Sequence, residues 1–141
     1  AETAAVSTST ATIPEDDTIP QNTEGTELLT RAITPTNSSN KLHFQAVIHA
    51  GVSTGREVTL ALFQDSTANA VAAMTQNCQS ANAPHTVILD AYLTAGTTSE
   101  TTFKLRVGTD ASATLTINGQ SGNRIFGGVM VSSLTITEIK A

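Results

Sequence analysis

The chain has 141 residues, of which 13% are charged and 4% aromatic, and a formal net charge of −5; this suits one compact unit, with no apolar run near the roughly 18 residues of a membrane span. Only seven Lys and Arg are present, scattered without a stripe, so neither nucleic acid nor membrane insertion is expected. The 25 threonines, 12 serines and 19 alanines favour pleated sheet over a helical bundle.

Residues 1–12 are small and rich in Thr, Ser and Ala. They show no periodicity and are expected to form a linker or tether without fixed structure, since they bury too little to offset ordering. They lack the basic start and apolar centre of a secretion signal, and a first residue Ala1 in place of Met reads as a piece of something longer. Residues 13–27 hold two Ile-Pro pairs, Ile13-Pro14 and Ile19-Pro20, around Glu15, Asp16 and Asp17. Each proline keeps its predecessor extended and blocks a helix, which predicts an extended strap laid over a neighbouring surface.

Residues 28–141 read as short β-type runs between turn residues, the spacing of an all-β, jelly-roll-like two-sheet β-sandwich. The runs begin with 28–34, closed by Pro35 and the turn residues Asn37 to Asn40. Over 41–50, Leu42, Phe44, Ala46, Ile48 and Ala50 alternate with His43, Gln45 and His49. The run 56–64 is continuously apolar at Leu60 to Phe63, as a strand covered on both faces requires. Residues 66–76, alanine-rich behind Asp65-Ser66, suit either one or two helical turns or an irregular crossover. Runs at 85–94, 100–107, 112–118 and 129–139 complete the set. Gly119, Gly122, Gly127 and Gly128 predict a tight turn and a place of close backbone approach.

No catalytic signature emerges. A single cysteine, Cys78, excludes an internal disulfide and a Cys-based zinc site, and with no base beside it in the sequence it reads as an inert thiol. His43 and His49 lie about 20 Å apart at about 3.3 Å per residue, too far to share a metal within one chain. The Glu15-Asp16-Asp17 triplet lacks the glycine-bearing loop of a calcium site. No cofactor and no metal is expected. Two polar groups suit a sugar. Tyr92, the one aromatic other than Phe, shares a strand face with Asp90. Asn118, Gln120, Asn123 and Arg124 offer amides and a guanidinium on the glycine-rich loop, suited to hydroxyls or carboxylated sugars.

Several ordered phrases go further. The stretch from Ile13-Pro14-Glu15-Asp16-Asp17 to Glu24-Gly25-Thr26-Glu27, then Ile33-Thr34-Pro35, Asn40-Lys41-Leu42 and Thr59-Leu60-Ala61-Leu62-Phe63-Gln64-Asp65, resembles the C-terminal receptor-binding module of tailed-bacteriophage tail fibres. Phe103 to Gly108, Asn118-Gly119, Phe126-Gly127-Gly128 and Ser133 to Ile139 resemble the same family, so the likeness covers the chain from Ile13 onward. The resemblance implies a homotrimeric tip carried on a virion by an upstream fibre shaft, acting extracellularly on a host cell-surface glycan, either capsule or lipopolysaccharide, or on another envelope receptor. It implies adhesion rather than catalysis. The alternative within the same appendage is a structural trimerisation or capping module without receptor contact. Receptor residues vary among such tips, so the resemblance assigns none.

Overall fold

The computed structural model describes residues 1–141. The chain opens with β1 (Glu2–Thr3), β2 (Ser7–Ser9) and β3 (Thr26–Ile33), followed by the long β4 (Lys41–Val52) and by β5 (Arg56–Gln64). Next come β6 (Ala72–Cys78), β7 (Pro84–Thr94) and β8 (Thr101–Thr109). The last part holds β9 (Leu115–Ile117), a small hairpin of β10 (Gly119–Gln120) and β11 (Asn123–Arg124), a 3-10 turn at Phe126–Gly128, and β12 (Ser132–Ile139). The strands pair antiparallel in two main sheets, ordered β1-β12-β4-β9-β2 with β7 on the other edge of β4, and β3-β8-β5-β6.

The period-2 patterns set this arrangement. Leu42, Phe44, Ala46, Ile48 and Ala50 of β4 are buried, as are Phe103, Leu105 and Val107 of β8, and the rings of Phe44 and Phe103 meet across the two sheets at 4.5 Å. Twenty buried residues form this one core. β5 is buried on both faces: Val58, Leu60 and Leu62 join the core, while Ala61 and Phe63 form a second cluster with Ile13 of the strap. The strap thus covers the outer face of the four-stranded sheet. It is pinned by Ile13 N–H to the Thr109 carbonyl (2.9 Å) and by the Arg106 guanidinium to the carbonyls of Glu24 and Gly25 (2.6 and 2.8 Å).

The sandwich expected from the strand spacing is the one observed. Three local readings change. Residues 1–12 are not a free tether. β1 pairs with β12 and β2 with β9 along the sheet edge, and Ala1 exchanges hydrogen bonds of 2.8 Å with Leu134 in both directions. Main-chain pairing at an edge needs no apolar side chains, which is why composition concealed it. Residues 66–76 are not helical: 66–71 form an irregular connection and 72–76 belong to β6, which pairs with β5 from Leu62↔Ala72 to Arg56↔Cys78. Asp65, just ahead of this stretch, accepts hydrogen bonds from Thr101 and Thr102 of β8. The last strand begins at Ser132, leaving Val129 and Val131 outside it and exposed.

β9 and β12 lie end to end on the same edge of β4, opposite 50–52 and 41–47. Residues 118–131 are an excursion out of that line. Five positive φ angles fall within 121–128, at Ser121, Gly122, Phe126, Gly127 and Gly128, with a sixth at Asn118.

Candidate functional site

Register between β4 and β7 builds the first polar group. His43 faces Tyr92 and Gln45 faces Asp90, so Asp90 and Tyr92 flank one histidine on the outer face of the six-stranded sheet. The His43 and Tyr92 rings stack with centroids 4.3 Å apart and planes 5° from parallel. His43 Nε2 lies 3.0 Å from Asp90 Oδ2. Tyr92 is 57% exposed, so with one ring face on His43 the other is open to solvent. An aromatic face braced from behind, next to a carboxylate with acceptor capacity to spare, is a surface on which the apolar face of a sugar stacks while its hydroxyls donate. Thr135 and Thr137 of β12 extend the row across β4, and Ile88 and Val47 lie one pair further along.

The structure splits the second group. Asn118 is buried with φ 54°. Its amide donates to the carbonyls of Thr3 and Ala5 (2.8 and 3.2 Å), and its Oδ1 accepts from Ser132 Oγ (2.7 Å). It is a clamp between the N-terminal edge and the start of β12, with its polar atoms consumed. Gln120, Asn123 and Arg124 stand together on the β10–β11 hairpin, whose two-residue turn Ser121-Gly122 takes the left-handed angles a tight hairpin needs. The Arg124 stem runs along Gly128, where a Cβ would come within 3.1 Å of Arg124 Cδ. The hairpin joins the sheet at His49 of β4, since the Asn118 N–H donates to the His49 carbonyl. His43 is six residues away, about 20 Å along the strand, so the Tyr92 and Arg124 groups are separate.

Three other titratable groups are held in structural settings. His49 Nδ1 lies 3.2 Å from Thr86 Oγ1. Asp16 sits in a turn in which the Thr18 hydroxyl and then the Thr18 amide hold its carboxyl below the ordinary value. Cys78 ends β6, buried, and burial followed by the Glu57 carboxylate pushes its thiol up to about 11. No three His, Cys, Asp or Glu side chains converge as metal ligands would.

His43 is the residue whose role the sequence concealed. It stood on the polar face of its run, but its link to Asp90 and Tyr92 depends on which strand pairs with it and in what register, and neither is written in a single run.

Among solved structures, one sharing this fold is the EclA C-terminal domain, described as a sugar-binding protein, at TM-score 0.51 and 14% identity over 94% of this chain and 77% of that one. A bacteriophage CBA120 tailspike protein 4 enzymatically active domain aligns at TM-score 0.36 and 16% identity, over 82% of this chain and 18% of that one. An infectious bursal disease virus structure (Gx strain) aligns at 0.37 and 11%, over 96% and 36%. No curated protein sequence matches. The sequence model of the Pgp3 C-terminal domain matches residues 11–141, nearly the whole chain and the same stretch that carries the tail-fibre-like phrases. The chain therefore belongs to the Pgp3 C-terminal domain family.

Proposed function

We propose that this chain is a sugar-binding adhesion module, a homotrimeric receptor-binding tip that an upstream fibre shaft carries on a virion and that acts extracellularly on a host surface glycan, capsule or lipopolysaccharide. The observation that carries the sugar reading is the Tyr92 ring, stacked on His43 and flanked by the Asp90 carboxylate, on an open sheet face. The sugar-binding description of the EclA domain, which shares the fold, supports it. The role is binding, with Gln120, Asn123 and Arg124 as a second contact on the hairpin. Weak sites repeated over three copies and several fibres reach useful avidity without a deep pocket.

Retention of the isolated chain on immobilised host capsule or lipopolysaccharide tests this. Retention that Tyr92→Ala and Asp90→Asn abolish is expected. Retention unchanged in both variants overturns the Tyr92 site, and a monomer mass in light scattering overturns the homotrimer.

One observation favours a second reading. Ile88 is 49% exposed beside Val47, one row from Asp90, and the face around them carries little charge. Such a face is easily buried against a copy of itself, since few ions must be desolvated. The chain would then be a trimerisation or capping module, and Tyr92→Ala would weaken assembly rather than retention.

A further inference from the structure

On the side of the sandwich opposite Tyr92, β8 presents two of the seven cations of the chain, Lys104 and Arg106, outward from the four-stranded sheet. They line a cleft of about 320 Å³ walled by the turn after β5 and by Asn22, the size of pocket that takes one small ligand. Phe63, in register with Lys104 on β5 and 2% exposed, forms an apolar part of the lining.

The other charges here are answered within the chain. Asp65 accepts from the Thr102 amide (2.8 Å) and the Thr101 hydroxyl (3.0 Å). Glu27 accepts from the Thr30 hydroxyl and lies 3.9 Å from Arg106, whose remaining donors go to the carbonyls of Glu24 and Gly25. Lys104 stands apart. Lys104 takes no part in the Arg106–Glu27 ion pair or the His43–Asp90 contact, and half-buried Lys104 has neither a carboxylate nor a hydrogen-bond acceptor. An ammonium without a counter-charge in a cleft is free to pair with an arriving anion through charge-assisted hydrogen bonds. Two neutral groups beside it are also free: the Ser66 hydroxyl has no partner, and Asn22 spends its Nδ2 on the Thr67 carbonyl while its own amide oxygen is unused. The turn that carries Ser66 is held by the Asp65 bonds and by the Thr67 hydroxyl on the Gln64 carbonyl (2.7 Å), so the cleft is preorganised.

We propose that this cleft is a second binding site, for a carboxylated sugar unit: the carboxylate pairs with Lys104, and the sugar hydroxyls bond to Ser66 and to the free oxygen of Asn22. The site is independent of the Tyr92 face and stands or falls on its own residues.

Titration of the ¹⁵N-labelled chain with sodium glucuronate, N-acetylneuraminate, glucose and sodium acetate, followed by amide shifts, tests it. Saturable shifts at Ser66, Thr67 and Lys104 with either acidic sugar are expected, and which of the two binds identifies a uronic or a sialic source. Lys104→Gln, or Lys104→Met, which keeps the stem over Phe63, is expected to weaken binding about tenfold or more. Tyr92→Ala leaves it unchanged, which separates this site from the sugar face. Equal shifts with glucose or acetate, no saturation with either acidic sugar, or full affinity in both Lys104 variants overturns the proposal.

Discussion

Ile13 occupies the space that Gly108 leaves empty: a Cβ at position 108 would lie 2.8 Å from Ile13 Cγ1 and equally close to its backbone nitrogen. Gly25 closes the slot from the other side, at φ +60°, where a Cβ would meet Ile13 Cδ1 at 2.8 Å. One buried isoleucine between two glycines thus holds down a strap whose remaining residues are mostly exposed.

Gly108→Ala is expected to expel Ile13 and destabilise the chain by about 1–3 kcal/mol through overpacking. Ile13→Ala empties the slot at about 2–5 kcal/mol. Because both act on one contact, urea midpoints of the double variant should show less than the sum of the two losses. Full additivity would mean that the slot does not hold the strap.

The N-terminal edge hangs on Asn118. Asn118→Gly tolerates the left-handed backbone but removes the amide that bridges Thr3 and Ala5 and the oxygen that receives Ser132. The expected loss is about 1–3 kcal/mol, with faster amide exchange at Leu134, whose N–H donates to the Ala1 carbonyl. Unchanged exchange at Leu134 would show that β1 stays docked without the clamp.

The alternation in 41–50 and 100–107 made β4 and β8 legible, and the unbroken apolar run at Leu60–Phe63 marked a strand covered twice, because burial acts on each residue where it stands. Pairing does not. Residues 1–12 join a sheet edge by main-chain hydrogen bonds that leave no side-chain pattern, and the alanines of β6 fit a helix or a strand equally well until β5 is placed beside them. The candidate site was legible in the same proportion. Asp90 and Tyr92 on one face follow from period 2, whereas their shared partner His43 arrives only with the register of β7 against β4. Asn118 has the residue type of a sugar contact and the burial of a structural clamp, a distinction that sequence does not carry.

Glu138 ties the 36–40 loop to the last strand. Asn40 Nδ2 donates to its Oε1 at 2.7 Å, as do the amide and hydroxyl of Thr36. The Asn40 side chain, the largest influence, holds its carboxyl below the ordinary value against the opposing effect of burial, with further help from Thr36 and the Asn37 amide. A carboxylate whose folded value is depressed contributes stability that is full above its unfolded value, about 4.3, and is lost as pH falls through the folded one. The wild type is therefore expected to lose more stability than Glu138→Gln as pH drops below about 4.3. Parallel pH profiles for the two chains would remove Glu138 from that role.

Cys78, with its thiol raised to about 11, keeps roughly a thousandth of its population as thiolate at pH 8. Iodoacetamide is expected to leave the native chain unmodified over the time in which it fully alkylates the urea-unfolded one, as followed by mass spectrometry. Equal rates would place the thiol at the surface.

The chain contains one tyrosine and no tryptophan, so its near-ultraviolet emission reports Tyr92 without interference. Fluorescence titration with a polysaccharide that retains the chain on a column is the most direct test of the sugar-binding reading. A saturable change in emission at the concentrations that give retention, lost in Asp90→Asn, is the expected result. Retention with the emission of Tyr92 unchanged would contradict it, as would the absence of retention by both capsule and lipopolysaccharide.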